Sequence, residues 1–336
     1  MQPRIGNGRR TPLRKPAQMT ERQRGFTLVE LTIATLIIAV LSFSFLGGYS
    51  FLARTNSQLA TRDRMERLRV AFAAAYRNNA RAIEASTARE VYFAAGITIA
   101  DGTDASNAAT LAALARVASY GQLSPVEAQV DEFQGRFRFL ISNRLSIVMP
   151  GGYTVYYRKI AIVSPGYNGV VEPGTTMDTL SGAVTVAGDD AAVVIDGFQI
   201  QSELAQQTVQ RVDRIAKSYE RYFTNRYLAN AARDVSIDYF AASGTTASRW
   251  DAGGLAGNSG NIFADATTLN LTQALGMAAS DLQDTYGTAI QIDNSSALAR
   301  NPDNATTAMS IPPYSALVRA TLAAGQTYVQ AAIGSF

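Results

Sequence analysis

The sequence contains no cysteine and no histidine, and a single tryptophan, among 336 residues. Without cysteine there is no disulfide framework and no thiolate metal site, so stability must come from packing. Without histidine the chain lacks the usual general base, the commonest zinc ligand and any Ser-His or Cys-His nucleophile pair. No glycine-rich phosphate loop precedes a Lys-Ser or Lys-Thr pair, and the acids do not cluster at catalytic spacings. Direct nucleotide binding and most hydrolase chemistry are therefore excluded from the expectation, and the chain reads as a non-enzyme with no certain cofactor.

What is present is ordinary for globular protein: 47% hydrophobic and 17% charged residues, enough for two modest cores. The formal charge of +3 is local. Arg4, Arg9, Arg10, Arg14, Lys15, Arg22 and Arg24 face one acid, Glu21, within residues 1–25. The remainder is slightly acidic, which removes a general case for nucleic-acid binding.

From Phe26 to Ala53 the chain reads FTLVELTIATLIIAVLSFSFLGGYSFLA, with one ionisable side chain, Glu30. About 20 helical residues cross roughly 30 Å of hydrocarbon, so this run suffices. It is too long for the apolar stretch of an ordinary signal peptide. The preceding basic residues orient the segment with its N-terminus in the cytoplasm and everything after Arg54 outside. A carboxylate within such a run costs about 2.5–3.5 kcal/mol on insertion scales and therefore marks function.

Arg24-Gly25-Phe26-Thr27-Leu28-Val29-Glu30-Leu31 resembles the processing site of type IV pilins and type II secretion pseudopilins. The resemblance implies cleavage between Gly25 and Phe26 by a prepilin peptidase, N-methylation of Phe26, and a Glu30 that pairs with the Phe26 amine of a neighbouring subunit. It implies further partners: other pilin subunits through the N-terminal helix, inner-membrane lipid, and an assembly platform with its ATPase. Before assembly the chain would be a single-pass inner-membrane protein; afterwards it would lie in a periplasmic or extracellular filament. The leader starts at Met1 or at Met19. Where many family members carry proline this helix has Gly47-Gly48, so local melting or bending is expected there.

The fold expected is α+β: a long N-terminal membrane-spanning helix continuing into an amphipathic helix packed on an antiparallel sheet, followed by a second pilin-like α+β head. Its divisions are a cleaved leader (1–25), a hydrophobic assembly helix (26–53), a first head (54–200) and a second helix and head (201–336). Met65, Leu68, Phe72 and Tyr76 share one helical face. Val91 to Ser119 reads as a variable loop. Strands are expected over Arg136 to Ile141, Tyr153 to Val163, Ala183 to Ala187 and Ala192 to Asp196.

Two further pieces resemble pseudopilin heads. Asp131-Glu132-Phe133-Gln134-Gly135 is similar to a degraded Asp-Pro-Trp-Gly turn. Ser164 to Gly169, followed by Gly188-Asp189-Asp190, is similar to a calcium loop, with Asn168, Asp189 and Asp190 as candidate ligands; a solvated turn is the competing reading.

The pattern then begins again. A second helix is expected over Ser202 to Ala232, with Val209, Val212, Ile215, Tyr219 and Tyr222 or Phe223 on one face. Tyr239 to Gly244 echoes Tyr92 to Gly96, Asp284-Thr285-Tyr286-Gly287 echoes the Asp131 turn, and Tyr314 to Ala323 echoes Tyr153 to Val163. A loop over Ser243 to Asn261 carries Trp250. The expected role is a structural subunit, minor or at a filament tip; the alternative is an adhesin displayed on a pilin-like anchor.

Overall fold

The computed structural model describes residues 27–235, 239–240, 263–267, 271–293, 300–301, 304–308, 315–334 and 336. The chain divides into two compact units, Met1–Arg54 and Thr55–Phe336. Helix α1 (Leu28–Asn78) begins in the first and ends in the second. It is continuous through Gly47 and Gly48, so the expected melting does not occur. Unlike proline, each glycine keeps its amide donor, and a cost of about 1 kcal/mol per glycine is small in a helix of 51 residues.

In the second unit α1 buries the expected stripe of Met65, Leu68, Phe72 and Tyr76 against a sheet, with Thr61 buried one turn before it. Short α2 (Ala80–Ala85) and the hairpin β1 (Glu90–Ala94) and β2 (Ile97–Ala100) follow. Helix α3 (Ala108–Gly121) occupies the stretch read as a loop, which is a correction. Alanine-rich sequence is good helix former, and Asn107 caps it by accepting the Ala109 and Thr110 amides. Thr110, Ala113, Leu114, Val117 and Ala118 form its buried face.

The first sheet orders β3 (Arg138–Ile141), β6 (Lys159–Ser164) and β9 (Ala191–Asp196), all antiparallel, with β6 central. Between β3 and β6 lie β4 (Leu145–Val148) and β5 (Thr154–Tyr157), which pair with each other. The long strand expected over Tyr153 to Val163 is thus two strands in two sheets, broken at Arg158. That residue is fully buried: its guanidinium donates to the Ala88 and Ser86 carbonyls, and its amide donates to the Tyr76 hydroxyl at 3.2 Å instead of to a neighbouring strand. The strand expected over Ala183 to Ala187 shrinks to β8 (Val184–Thr185), paired with β7 (Thr176–Met177).

Helix α4 (Gly197–Ala229) starts five residues before the sequence suggests, capped by the Asp196 carboxylate on the Phe198 amide. Its first turns pack on the first core through Leu204, while Val212, Ile215, Tyr219 and Phe223 enter a second core. The second sheet orders β10 (Phe263–Asp265), β11 (Gln291–Asp293), β14 (Ser315–Thr321) and β15 (Thr327–Ile333), again antiparallel. Short α5 (Leu271–Leu275) and the pair β12 (Arg300–Asn301) and β13 (Asn304–Ala308) complete the described elements. The Trp250 loop and the echo at Ala241 to Gly244 lie outside the described residues.

One hydrogen-bond pattern occurs twice. Asp131 Oδ1 accepts the Phe133 and Gly135 amides at 2.9 and 2.8 Å. Asp284 Oδ1 accepts the Tyr286 and Thr288 amides at 2.9 and 2.8 Å. On α1, Thr61 Oγ1 accepts the Glu132 amide at 3.2 Å and Arg64 donates to the Val130 carbonyl at 2.8 Å. On α4, Thr208 Oγ1 accepts the Thr285 amide at 3.3 Å and Arg211 donates to the Gln283 carbonyl at 2.7 Å. The same offset relates Thr61 to Thr208, Arg64 to Arg211, Met65 to Val212, Leu68 to Ile215, Phe72 to Tyr219 and Tyr76 to Phe223.

Even the strand ends correspond. A Cβ at Gly197, after β9, would lie 2.5 Å from the Tyr76 hydroxyl, and one at Gly334, after β15, 2.6 Å from the Phe223 ring.

Replacing Asp131 by alanine strands two backbone donors and the Ser164 hydroxyl, which Asp131 Oδ2 accepts at 2.6 Å. With each buried unpaired group costing about 1–3 kcal/mol, urea unfolding of Asp131→Ala should show a loss of about 3 kcal/mol or more.

Candidate functional site

Helix α1 opens with a reciprocal cap. Thr27 donates its amide and its hydroxyl to Glu30 Oε2, both at 2.9 Å, and its Oγ1 accepts the Glu30 amide at 3.3 Å. The signal for this capping box, Thr27-Leu28-Val29-Glu30, was in the sequence, but the reading of Glu30 as an assembly group did not include it. Both bonds use Oε2, and Oε1 has no hydrogen-bond partner among the described residues. Glu30 therefore serves the helix start with one oxygen.

From Leu28 to Leu52 the large apolar side chains are exposed, Leu28 by 80% and Phe43 by 81%. Three of its hydroxyls are satisfied within the helix: Thr32 donates to the Val29 carbonyl, Thr35 to those of Leu31 and Thr32, and Ser44 to that of Val40. By length and composition this helix can cross a membrane. A surface of this kind is stable only in lipid or against other apolar helices.

Residues 21–46 match the prokaryotic N-terminal methylation motif. This is the prepilin-type cleavage and methylation signal of type IV pilins and pseudopilins, and the α+β architecture with its long apolar N-terminal helix is consistent with a pilin-like fold. The motif implies processing by a prepilin peptidase and assembly with other pilin subunits, and it fits membrane anchoring before assembly. Gly25 falls within the matched stretch, although Gly25 and Phe26 lie outside the described residues. No curated protein and no solved structure matches the chain.

The candidate calcium ligands meet in one loop. The Asn168 amide donates to Asp189 Oδ2 at 3.1 Å, and Asn168 Nδ2 donates to Glu172 Oε1 at 2.9 Å. Asp190 Oδ2 accepts the Glu172 amide and the Thr175 hydroxyl, while Asp190 Oδ1 is buried with no protein partner. Calcium takes six to eight oxygens. Among the described residues no three His, Cys, Asp or Glu side chains converge, so the loop offers one orphaned carboxylate oxygen and a partial shell.

Two acids are buried: Glu84, which nothing in the local sequence pattern marks, and Asp284, which the sequence marks as a turn residue but not as a buried ion-pair partner. Glu84 accepts the Tyr76 hydroxyl and lies 3.7 Å from the Arg158 guanidinium, all three fully buried. Burial pushes the Glu84 carboxyl up, opposed by the Tyr76 bond and by Arg158. Asp284 lies 3.6 Å from Arg81 of α2, and Arg81 also donates to Thr288 and to the Thr321 carbonyl, joining the first core to the second sheet.

Burial likewise raises the Asp284 carboxyl, against the Thr288 amide and Arg81. An acid raised on folding favours the folded state at low pH, and that contribution is lost as pH rises through the folded value. Asparagine does not ionise. The stability difference between Asp284→Asn and the native chain should thus move in favour of the variant from pH 4 to pH 8, read by urea unfolding at each pH.

Proposed function

We propose that this chain is a structural subunit of a type IV pilus or related pseudopilus, with two tandem pilin-like heads on one membrane helix. The observation that carries this reading is the methylation motif at residues 21–46 running directly into a helix whose apolar side chains nothing in the described chain covers. A leader of residues 1–25 is removed between Gly25 and Phe26, and the new Phe26 amine is methylated. Glu30 then meets the amine of a neighbouring subunit through the oxygen that Thr27 leaves unused. A carboxylate in hydrocarbon gains much from a cation, and the pairing sets the register of adjacent helices.

Division into a first head over residues 54–200 and a second over 201–336 is supported by the repeated turn and its helix contacts, with α4 as the spine of the second head. The second head has no membrane segment among its described residues. A doubled head on every protomer would crowd a filament surface, which favours a minor or tip position. An assembly platform and ATPase would supply the work of extraction, since the sequence offers no nucleotide site.

Mass spectrometry of the mature protein should find an N-methylated Phe26 as the first residue; an uncut leader would overturn the processing step. Glu30→Ala should still be cleaved, while its incorporation into filaments, scored by immunoblot of sheared material, falls at least about tenfold. Normal assembly of that variant would refute the pairing.

For the loop of Asn168, Asp189 and Asp190 we propose weak calcium binding, held chiefly by the orphaned Asp190 oxygen. Titration calorimetry with Ca²⁺ should show heat that Asp190→Asn abolishes. Silence in the native chain would refute it.

A further inference from the structure

The repeat supplies an internal control for one feature of the first half. Arg136, two residues before β3, and Arg138, its first residue, alternate with the buried Phe137 and Phe139, and both arginines are exposed. Neither has a hydrogen-bond or ion-pair partner among the described residues. In the second half Ile290 and Ile292 stand where Phe137 and Phe139 do, and both are buried, but the positions of the two arginines are held by Ala289 and Gln291. The aspartate turn, its helix contacts and the strand therefore form without this basic pair. Nothing in the fold requires it.

Both arginines line a cleft of about 660 Å³, bounded by the Asp131 turn and the loop strung along β3, where the Gly102 amide donates to the Phe139 carbonyl at 2.8 Å. A volume of this size is typical of small-ligand sites. Phe133, Pro165 and Val170 make one apolar wall, and Asp104 stands among the cations. Asp104 is held in place by the Ser106 amide and hydroxyl. A second cleft of about 450 Å³ shares Gly102 and Arg138 with the first and brings Asp101, Glu172 and Thr176 to its lining.

We propose that this cleft binds an acidic saccharide, with a sugar carboxylate between Arg136 and Arg138, a ring face against Phe133, and hydroxyls directed to Asp104 and the adjoining acids. Planar guanidinium forks suit a carboxylate. An aromatic and proline wall suits the apolar face of a sugar ring. The adjoining acids accept hydrogen bonds from sugar hydroxyls, which the phosphate run of single-stranded DNA does not offer, and this favours a saccharide over such a strand. The site lies in the first half.

Calorimetry of the full chain in detergent with trigalacturonate should give a Kd of about 1 mM or tighter. The double variant Arg136→Ala, Arg138→Gln installs the residues of the second half. It should melt like the native chain and bind at least about tenfold more weakly. Equal binding of neutral galactotriose, unchanged affinity in the double variant, or tighter binding of a single-stranded oligonucleotide would each overturn the proposal. Should the double variant not fold, the Gly102, Gly135 and Gly169 amides of the native chain decide. Their NMR signals must shift on adding trigalacturonate, and signals that stay in place overturn it.

Discussion

A helix threonine bonded to the amide that follows an aspartate is the contact on which the unit Thr55–Phe336 depends. Sheets present apolar faces without a fixed position along a helix, and packing alone would tolerate sliding by a turn. The pairs Thr61 with Glu132 and Thr208 with Thr285 remove that freedom, and Arg64 and Arg211 add a second point one turn on. With two directional bonds fixed, the four apolar side chains that follow on each helix meet their sheet in one register. The hydrogen bonds set position, and burial of Met65, Leu68, Phe72 and Tyr76 and of their counterparts supplies most of the stabilisation.

The two halves are joined as closely as each is held. α4 is at once a wall of the first core and the spine of the second, and Gln201, wholly buried on it, donates to the Ala80 carbonyl at 2.9 Å. Tyr153 meets Tyr328 edge to face with ring centres 6.0 Å apart, and Arg81 lies over Tyr286. Buried charge at this junction is weak evidence for stability, since desolvation opposes the attraction. Its effect is directional: a guanidinium with three fixed partners admits one arrangement of α2 against the second sheet.

The elements set by periodicity were legible from residues alone. The Met65 to Tyr76 stripe, the alternation of Phe137, Phe139 and Ile141, and the echo of Asp131 in Asp284 all depend on spacing, which sequence displays directly. α3 was missed because its composition looks like a loop, although Asn107 and the spacing of Ala113, Leu114, Val117 and Ala118 were there to be read. The break at Arg158 was not legible. A basic residue between apolar runs looks like a solvated strand position, and only the tertiary arrangement supplies the Ser86 and Ala88 carbonyls that hold it. Of the candidate sites, the N-terminal signal was readable because it is contiguous; the Asp104, Arg136 and Arg138 cleft was not, since it gathers residues from separate loops.

The hydroxyls of Thr32, Thr35 and Ser44 have a mechanical consequence. Each is already spent on a carbonyl of its own helix, so at these three positions the helix offers a neighbour dispersion contacts rather than a free donor. At those positions one such helix can turn or slide against another without breaking a polar bond. The first turn differs, for there a charged side chain, Glu30, stands among the apolar ones.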